Sequence, residues 1–382
     1  MLISKFVAPE IIFGQGALSQ VGDSAKRLGA SRVFLTSDPG VMETGWVDKA
    51  LWFLKEQGLD YVVWTRLTPN PRDFQVAEGA RVYTEHGCDA VLAVGGGSVI
   101  DAAKAVAVLA TNGGEIQDYE GIDRIGSPLP PIIAVPTTAG SGAEVSQFCV
   151  VVDTRRRLKM TIISKSLIPD ICIIDPLLLA TVSSELTAYT GMDALTHAIE
   201  AYSSLAATFL TDVHALRAMN GIARYLPAAV ARKDNMEAKT EIAKASLHAG
   251  LAFSNAILGL VHAITHQLGG LLDMPHGQAN AILLPYVMDF NLPACLDRYC
   301  EMAEALGEKT DGQRRLESAA AAIRAVRLLR RQVGIPEKLS QVGLQAEHIP
   351  LLSANAVRDA CIITNPRDVS VEQVEAILRA AL

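Results

Sequence analysis

A chain of 382 residues is long for a single hydrophobic core, and about two domains are expected. Half of its residues are hydrophobic, a fifth are charged and the formal net charge is −7, which describes a soluble, globular, enzyme-like chain and argues against a nucleic-acid or anionic-membrane surface. No uninterrupted apolar run approaches the roughly 20 residues that span a bilayer, so no membrane partner is expected.

The strand-like stretch 2–13 comes first. It has no obvious neighbour in sequence and is either a free arm or a strand that pairs across a homodimer or higher homo-oligomer. Its opening residues, M-L-I-S-K-F-V-A-P-E, lack the charged-then-apolar layout of a secretion signal. Short β-rich runs then alternate with helical ones. R-V-F-L-T-S at 32–37, Y-V-V-W-T at 61–65, A-V-L-A-V at 90–94 and P-I-I-A-V at 131–135 read as buried parallel strands. Helical patterns at 17–28, 43–57, 74–87 and 98–111 separate them, which is α/β layering around a parallel sheet. A β-rich insertion is expected at 147–174, with the basic run T-R-R-R-L-K at 154–159 forming a solvated hairpin. From about 182 the β signals nearly vanish. Ala/Leu-rich segments at 183–204, 208–232, 235–254, 256–272, 278–290, 295–306, 314–333 and 370–381 read as helices, punctuated by Pro227, Pro275, Pro285, Pro336 and Pro366. The expected organisation is an α/β domain over 1–181 and an all-helical domain over 182–382, abutting at a cleft. Cys88, Cys149, Cys172, Cys295, Cys300 and Cys361 form no C-x-x-C pair, and buried free thiols in a reducing cytoplasm fit best.

A-V-L-A-V-G-G-G-S-V-I-D-A-A-K at 90–104 runs from strand through glycines into helix. Gly95, Gly96 and Gly97 let the backbone approach a ligand closely, and Ser98 opens a helix whose free N–H groups and dipole favour a pyrophosphate. Asp101 and Lys104 either brace this loop by pairing or are plain helix-surface charges. Asp38 ends the strand at 32–37 without a G-x-G-x-x-G fingerprint beside it. It is either an acceptor for both ribose hydroxyls, favouring NAD over NADP, or a turn-initiating residue before Pro39. The loops T-P-N-P at 68–71 and P-T-T-A-G-S-G-A-E-V at 136–145 follow predicted strands, where ligands of open parallel sheets gather, so Asn70, Thr137, Thr138 and Ser141 are candidate cofactor contacts.

The chemistry of the second half lies in G-M-D-A-L-T-H-A-I-E-A-Y at 191–202 and G-L-V-H-A-I-T-H-Q-L-G-G-L-L-D-M-P-H-G-Q-A-N-A at 259–281. Asp193 and His197 are four apart, as are His262 and His266, which stacks each pair on one helical face. His276 follows a Gly-Gly break in a P-H-G turn. Asp193, His197, His262 and His276 can therefore converge on one divalent cation, and a carboxylate with three imidazoles suits iron(II) or zinc better than calcium or magnesium. His86, His214, His248 and His348 show no partner pattern and read as structural or solvent-facing.

Taken in order, G-G-G-S-V-I-D-A-A-K, P-T-T-A-G-S-G-A-E-V and the two histidine-bearing stretches resemble the iron-containing (group III) alcohol dehydrogenases over essentially the whole chain. The resemblance implies a dinucleotide-binding α/β domain, an all-α metal-binding domain (the dehydroquinate synthase-like fold) and an active site between them. It implies Asp193, His197, His262 and His276 as ligands of iron, with zinc as an alternative, and His266 as a non-ligand acting near the nicotinamide. By it, NAD contacts fall to Asp38, Asn70, Gly97, Ser98, Asp101, Thr137, Thr138, Ser141 and Lys159, the last taken out of the solvated basic run. Phe148, Phe253 and Cys361 are expected to line an apolar substrate pocket, favouring simple primary alcohols and their aldehydes over diols. Two other readings remain: a dehydroquinate-synthase-like lyase, which needs basic residues for a phosphate-bearing substrate, and a non-catalytic nucleotide or metal sensor.

Overall fold

The computed structural model describes residues 5–382. They divide into two compact units, one spanning Val7–Val182 and one running from Ser183 to Leu382 with Phe6 attached to it.

The first unit holds β1 (Glu10–Phe13), α1 (Val21–Arg27), β2 (Arg32–Thr36), α2 (Pro39–Met42), α3 (Trp46–Glu56), β3 (Asp60–Trp64), α4 (Asp73–Glu85), β4 (Ala90–Gly95), α5 (Gly97–Asn112), β5 (Gly121–Ile122), β6 (Ile132–Pro136), β7 (Phe148–Asp153), β8 (Leu158–Ile163) and β9 (Ile171–Ile174). Six strands form one sheet in the order β1-β9-β6-β4-β2-β3, every pair parallel. The reason is visible along β4. Val91 and Ala93 enter one buried core with Phe34, Val106 and Ala134, while Leu92 and Val94 enter another with Leu35, Leu54 and Ile133. Side chains alternate across a strand, so a continuous apolar run needs helices on both faces, and parallel crossovers supply them. Each fully buried Val, Leu, Ile or Phe among them contributes about 1.5–3 kcal/mol by leaving water.

Two expectations about this unit need correction. Residues 2–4 lie outside the described residues, but Glu10–Phe13 is not a free arm: it pairs parallel to Ile171–Ile174 of its own chain as an edge strand of the sheet. That same partner, β9, also pairs with β6, so 171–174 belongs to the main sheet and not to the insertion. The insertion is the three-stranded sheet β5-β8-β7, and its β7–β8 hairpin exposes the arginines as expected, with Arg155 paired to Glu115 and Arg156 to Asp153 and Glu120.

The second unit is helical: α6 (Ser184–Ser203), α7 (Phe209–Ala231), α8 (Met236–Ala256), α9 (Leu260–Leu272), α10 (His276–Asn291), α11 (Leu296–Ala305), α12 (Arg315–Gln332), α13 (Ile349–Ala356) and α14 (Val371–Ala381). Ser183, Thr208, Asn235 and Ser370 cap α6, α7, α8 and α14 with side-chain oxygens, which is why those helices begin where they do. The helices expected at 208–232, 256–272 and 278–290 form in spite of the breakers they contain, and the Gly-Gly pair is not a break. Pro227 and Pro285 lie inside α7 and α10, and Gly269 and Gly270 lie inside α9. Burial of these helices against their neighbours outweighs the local cost of the lost backbone bond or the glycine entropy. The chain leaves α9 at Asp273, in the left-handed region at φ 52°, and His276 is the first residue of α10, not a turn residue. α13 escaped the sequence reading because it is short and starts on a proline-bearing turn. No single helix among the described residues is long and apolar enough to cross a membrane.

His214 and His248 are not the isolated histidines their sequence context suggests. Their Nδ1 atoms lie 2.8 Å apart on α7 and α8, and Phe6 stacks on His214. Burial holds His214 below the ordinary imidazole value and, with the neighbouring His214 and Arg217 charges, pushes His248 down to about 4. A base with a depressed folded pKa leaves the unfolded chain to bind protons first. This pair's contribution is therefore complete above pH 6.5 and is lost as pH falls toward 4. The expected result is that His248→Gln flattens the fall in urea midpoint between pH 6.5 and 4 relative to the parent chain.

Candidate functional site

The first unit gathers its polar loops at the C-terminal ends of its strands. The chain runs from β2 to β3 on one side and returns to β4 on the other, so β2/β4 is the point where strand order reverses and where a ligand crevice is expected. Gly96 caps α5 after β4, and the loop after β6 lies against it. Thr137 N donates to Gly95 O at 3.0 Å, and Asn70 N donates to Ser98 Oγ at 3.3 Å. A Cβ on Gly97 would stand 2.7 Å from Ser141 Cβ and one on Gly96 would stand 3.3 Å from Thr138 Oγ1, so the glycines permit this close approach of two loops. Lys159 faces Val152 across the β7–β8 ladder, and Val152 N donates to Pro71 O, which brings the lysine beside the Asn70 loop. The structure thus assembles Asn70, Gly97, Ser98, Thr137, Thr138, Ser141 and Lys159 around the N-terminus of a sixteen-residue helix.

Asp38 takes the turn role given above, while Lys104 departs from the surface-charge reading. Asp38 Oδ1 accepts from Val41 N at 2.9 Å and caps α2, so the turn role is present whatever else the carboxylate does. Lys104 is not a surface charge, although the Asp101 carboxylate acts on it electrostatically. It is fully buried, and its Nζ donates to Ser146 O at 2.8 Å, Phe148 O at 2.9 Å and Ser146 Oγ at 3.3 Å. It ties α5 to the start of β7, fixing Phe148, and burial holds its ammonium below the usual lysine value.

The second unit builds a denser cluster. α6 carries Asp193 and His197 on one face, α9 carries His262 and His266, and α10 begins with His276. One ligand atom from each of Asp193, His197, His262 and His276 lies within 4.8 Å of every other. His262 Nε2 is 3.9 Å and His276 Nε2 3.7 Å from Asp193 Oδ1, and the His197 ring stacks on His262 at 4.6 Å. Asn280 shows what fits between them. Its Nδ2 donates to Asp193 Oδ1 at 2.6 Å and also lies 3.1 Å from His262 Nε2 and 3.2 Å from His276 Nε2. Three acceptors converge on an amide with two hydrogens, while the buried Asn280 Oδ1 has no hydrogen-bond partner. The donor set fits a divalent cation such as iron(II) or zinc.

Three partners of this cluster went unread in the sequence. Glu200 Oε2 is 2.5 Å from His262 Nδ1, and Oε1 accepts from Val261 N at 2.6 Å. Its position was legible, because Asp193, His197 and Glu200 follow i, i+4, i+7 on α6. Asn280, four after His276, obeys the same rule. Asp359 does not: its Oδ2 lies 2.9 Å from His266 Nδ1 across 93 residues of sequence. Burial pushes the Glu200 carboxyl up to about 8 and drives His262 well below the ordinary imidazole value, and a cation at Nε2 would act on the carboxyl in the opposite direction. Burial alone would raise Asp359, but His266 and the Cys361 backbone together bring it below the usual carboxylate value. Of the apolar candidates, Phe253 stacks on His197 at 4.3 Å and Cys361 is buried with Asp359 and His266, while Phe148 is a buried residue of the first unit.

Gly277 sets the α6–α10 spacing. A Cβ there would sit 2.3 Å from Tyr189 O and 3.3 Å from Asp193 Cβ, and backbone cannot yield as a side-chain tip can. Gly277→Ala is expected to push His276 away from Asp193 and weaken metal binding about 100-fold, a magnitude typical of ångström-scale misplacement. Chelator competition against the parent chain checks it.

Two family models divide the chain as the fold does. Residues 8–176 match iron-containing alcohol dehydrogenase, and residues 187–382 match the C-terminal part of the Fe-containing alcohol dehydrogenase family. The chain is 43% identical over 379 residues to 1,3-propanediol dehydrogenase of Citrobacter freundii, covering 98% of each. It is 41% identical to NAD-dependent methanol dehydrogenase of Bacillus methanolicus, covering 99% of each. The crystal structure of a 1,3-propanediol oxidoreductase superposes with a TM-score of 0.97 at 42% identity over the full length of both chains. On these matches the chain belongs to the iron-containing alcohol dehydrogenase family and shares its NAD-linked alcohol dehydrogenase activity and its iron.

Proposed function

We propose that this chain interconverts a simple primary aliphatic alcohol and its aldehyde, with Asp193, His197, His262 and His276 holding the cation. The observation that carries this reading is the convergence of those four donors within 4.8 Å around an amide nitrogen that cannot satisfy them all. A divalent cation held by them supplies Lewis acidity toward an alcohol oxygen, and NAD supplies the hydride acceptor. The rest is done by the chain itself. Gly97 and Ser98 at the α5 N-terminus, with Asp101, Asn70, Thr137, Thr138, Ser141 and Lys159, bind the dinucleotide, and Asp38 selects NAD over NADP at the ribose. His266, held at Nδ1 by Asp359, moves the alcohol proton toward solvent. Phe253 and Cys361 give the helical unit an apolar wall, and Phe148 does the same for the first unit, which favours a hydrocarbon chain over a second hydroxyl.

Acidic, amide and aromatic side chains contact the cluster, whereas a lyase acting on a phosphate-bearing acid calls for arginines and lysines there. A sensor has no use for a histidine–aspartate pair beside its metal ligands. All six cysteines are free thiols, which supports a cytoplasmic setting. Leu205, Phe209 and Val213 expose 70, 70 and 66% of their surface around the start of α7, which supports a homo-oligomer. The test is NADH formation from methanol, 1-propanol, 1-butanol and 1,3-propanediol, each with and without chelator and each repeated with NADP. Chelator-sensitive turnover with NAD, higher for 1-butanol than for 1,3-propanediol, is the expected result. A preference for the diol would overturn the substrate assignment.

A further inference from the structure

We infer that Glu200 is a positioning residue for the metal centre, holding the proton of His262 on Nδ1 so that Nε2 presents its lone pair to the cation. The inference rests on the four-residue reading of that centre. Glu200 lies on α6, the helix that also supplies Asp193 and His197, and its side chain is 6% exposed. Its two oxygens are divided between two tasks. Oε1 accepts from Val261 N at 2.6 Å, in the first turn of α9. The residue before α9 is Gly259, which has no side chain to cap with, so a carboxylate from another helix serves its free N–H groups and its dipole. Oε2 stands 2.5 Å from His262 Nδ1, whose ring is 1% exposed. A carboxylate accepts there, so the imidazole must donate, and a neutral imidazole that donates from one nitrogen is a ligand only at the other. The approach is possible because Gly259 lacks a Cβ: one would stand 3.0 Å from Glu200 Oε1 and 3.1 Å from Asn365 Oδ1. Asn365 completes the seat by accepting from Leu260 N at 3.2 Å.

A helix cap alone would require only Oε1, and the two roles separate on substitution. Glu200→Gln keeps the shape and keeps an oxygen for Val261 N, but presents an amide N–H to His262 Nδ1. That donor forces the ring proton onto Nε2, where the cation binds. Glu200→Asp keeps the charge on a shorter arm. The experiment measures the apparent Kd for Co2+ by chelator competition on the full-length protein, with urea midpoints of the metal-stripped forms alongside and His262→Asn as a reference. Expected is a 10- to 100-fold weaker Kd for Glu200→Gln, a smaller loss for Glu200→Asp, and near-parental urea midpoints for Glu200→Gln. Parental affinity in Glu200→Gln, with His262→Asn losing the metal, overturns the role of Glu200 and leaves the metal centre standing. Parental affinity in His262→Asn overturns the metal centre itself. If Glu200→Gln is too unstable to assay, parental affinity in Glu200→Asp alongside a lowered urea midpoint assigns the residue to capping alone and overturns the inference.

Discussion

Replacing His262 by alanine is expected to abolish metal binding and alcohol oxidation together, with activity falling by about three orders of magnitude or more. The magnitude follows from what the cation contributes. Lewis-acid stabilisation of a developing alkoxide is worth several kcal/mol, and each 1.36 kcal/mol is a factor of ten in rate. His262 is the central donor of the cluster. Its ring stacks on His197, its Nε2 faces Asp193, and its Nδ1 is held by Glu200. The same burial makes this variant costly to the fold, because Glu200 loses a partner and a buried acceptor left unpaired costs about 1–3 kcal/mol. His276→Ala separates the two effects. Its side chain is 29% exposed and sits at the open end of α10, so the fold is spared while a ligand is lost. Elemental analysis of the purified variants, NADH formation and urea unfolding measured on the same preparations check this. A His276→Ala protein with full metal content and full activity would remove that residue from the centre.

The second large effect is expected from His266, which the proposed function keeps apart from the metal ligands. His266→Ala is expected to lower kcat about 100-fold, within the range for loss of a positioned proton-transfer group, with metal content unchanged. His266 lies one helical turn after His262 on α9, and its ring stacks on His276 at 5.7 Å. What distinguishes it is Asp359, which takes up its Nδ1 at 2.9 Å and, with its own second oxygen, the backbone N–H of Cys361. That pairing holds the ring in one orientation with Nε2 left to exchange a proton. Turnover of His266→Ala is expected to recover partly at high pH, where solvent hydroxide takes the proton, and on addition of imidazole. Loss of metal from this variant would mean that the division between ligand and relay is drawn in the wrong place.

Much of this was legible from spacing. The α/β layering, the helical second half and the Asp193–His197 and His262–His266 pairs follow from short-range periodicity, since two residues four apart on a helix share a face whatever the fold around them. Glu200 and Asn280 obey that same rule and were available to it. The misreadings have one cause. The Gly269-Gly270 pair, read as a break, is a local helix breaker that the surrounding helices overrule. β9 looks like part of a small insertion until its pairing with β1 and β6 is known, because strand partnership is a long-range property.

Sequence alone determined that this chain carries a glycine-lined helix N-terminus after a buried strand, and two histidine-bearing helical faces with an acid four residues ahead of one of them. Those follow from the geometry of a single strand or helix, which depends only on neighbouring residues. The tertiary structure decided that three helices converge on Asn280, that Glu200 and Asp359 stand behind His262 and His266, that His214 meets His248, and that Lys104 is a buried tie. Each of these is a meeting of side chains between 34 and 93 residues apart, or, for Asn280, of three helices at once. Local propensity is silent at that range, where only packing of whole elements brings the groups together.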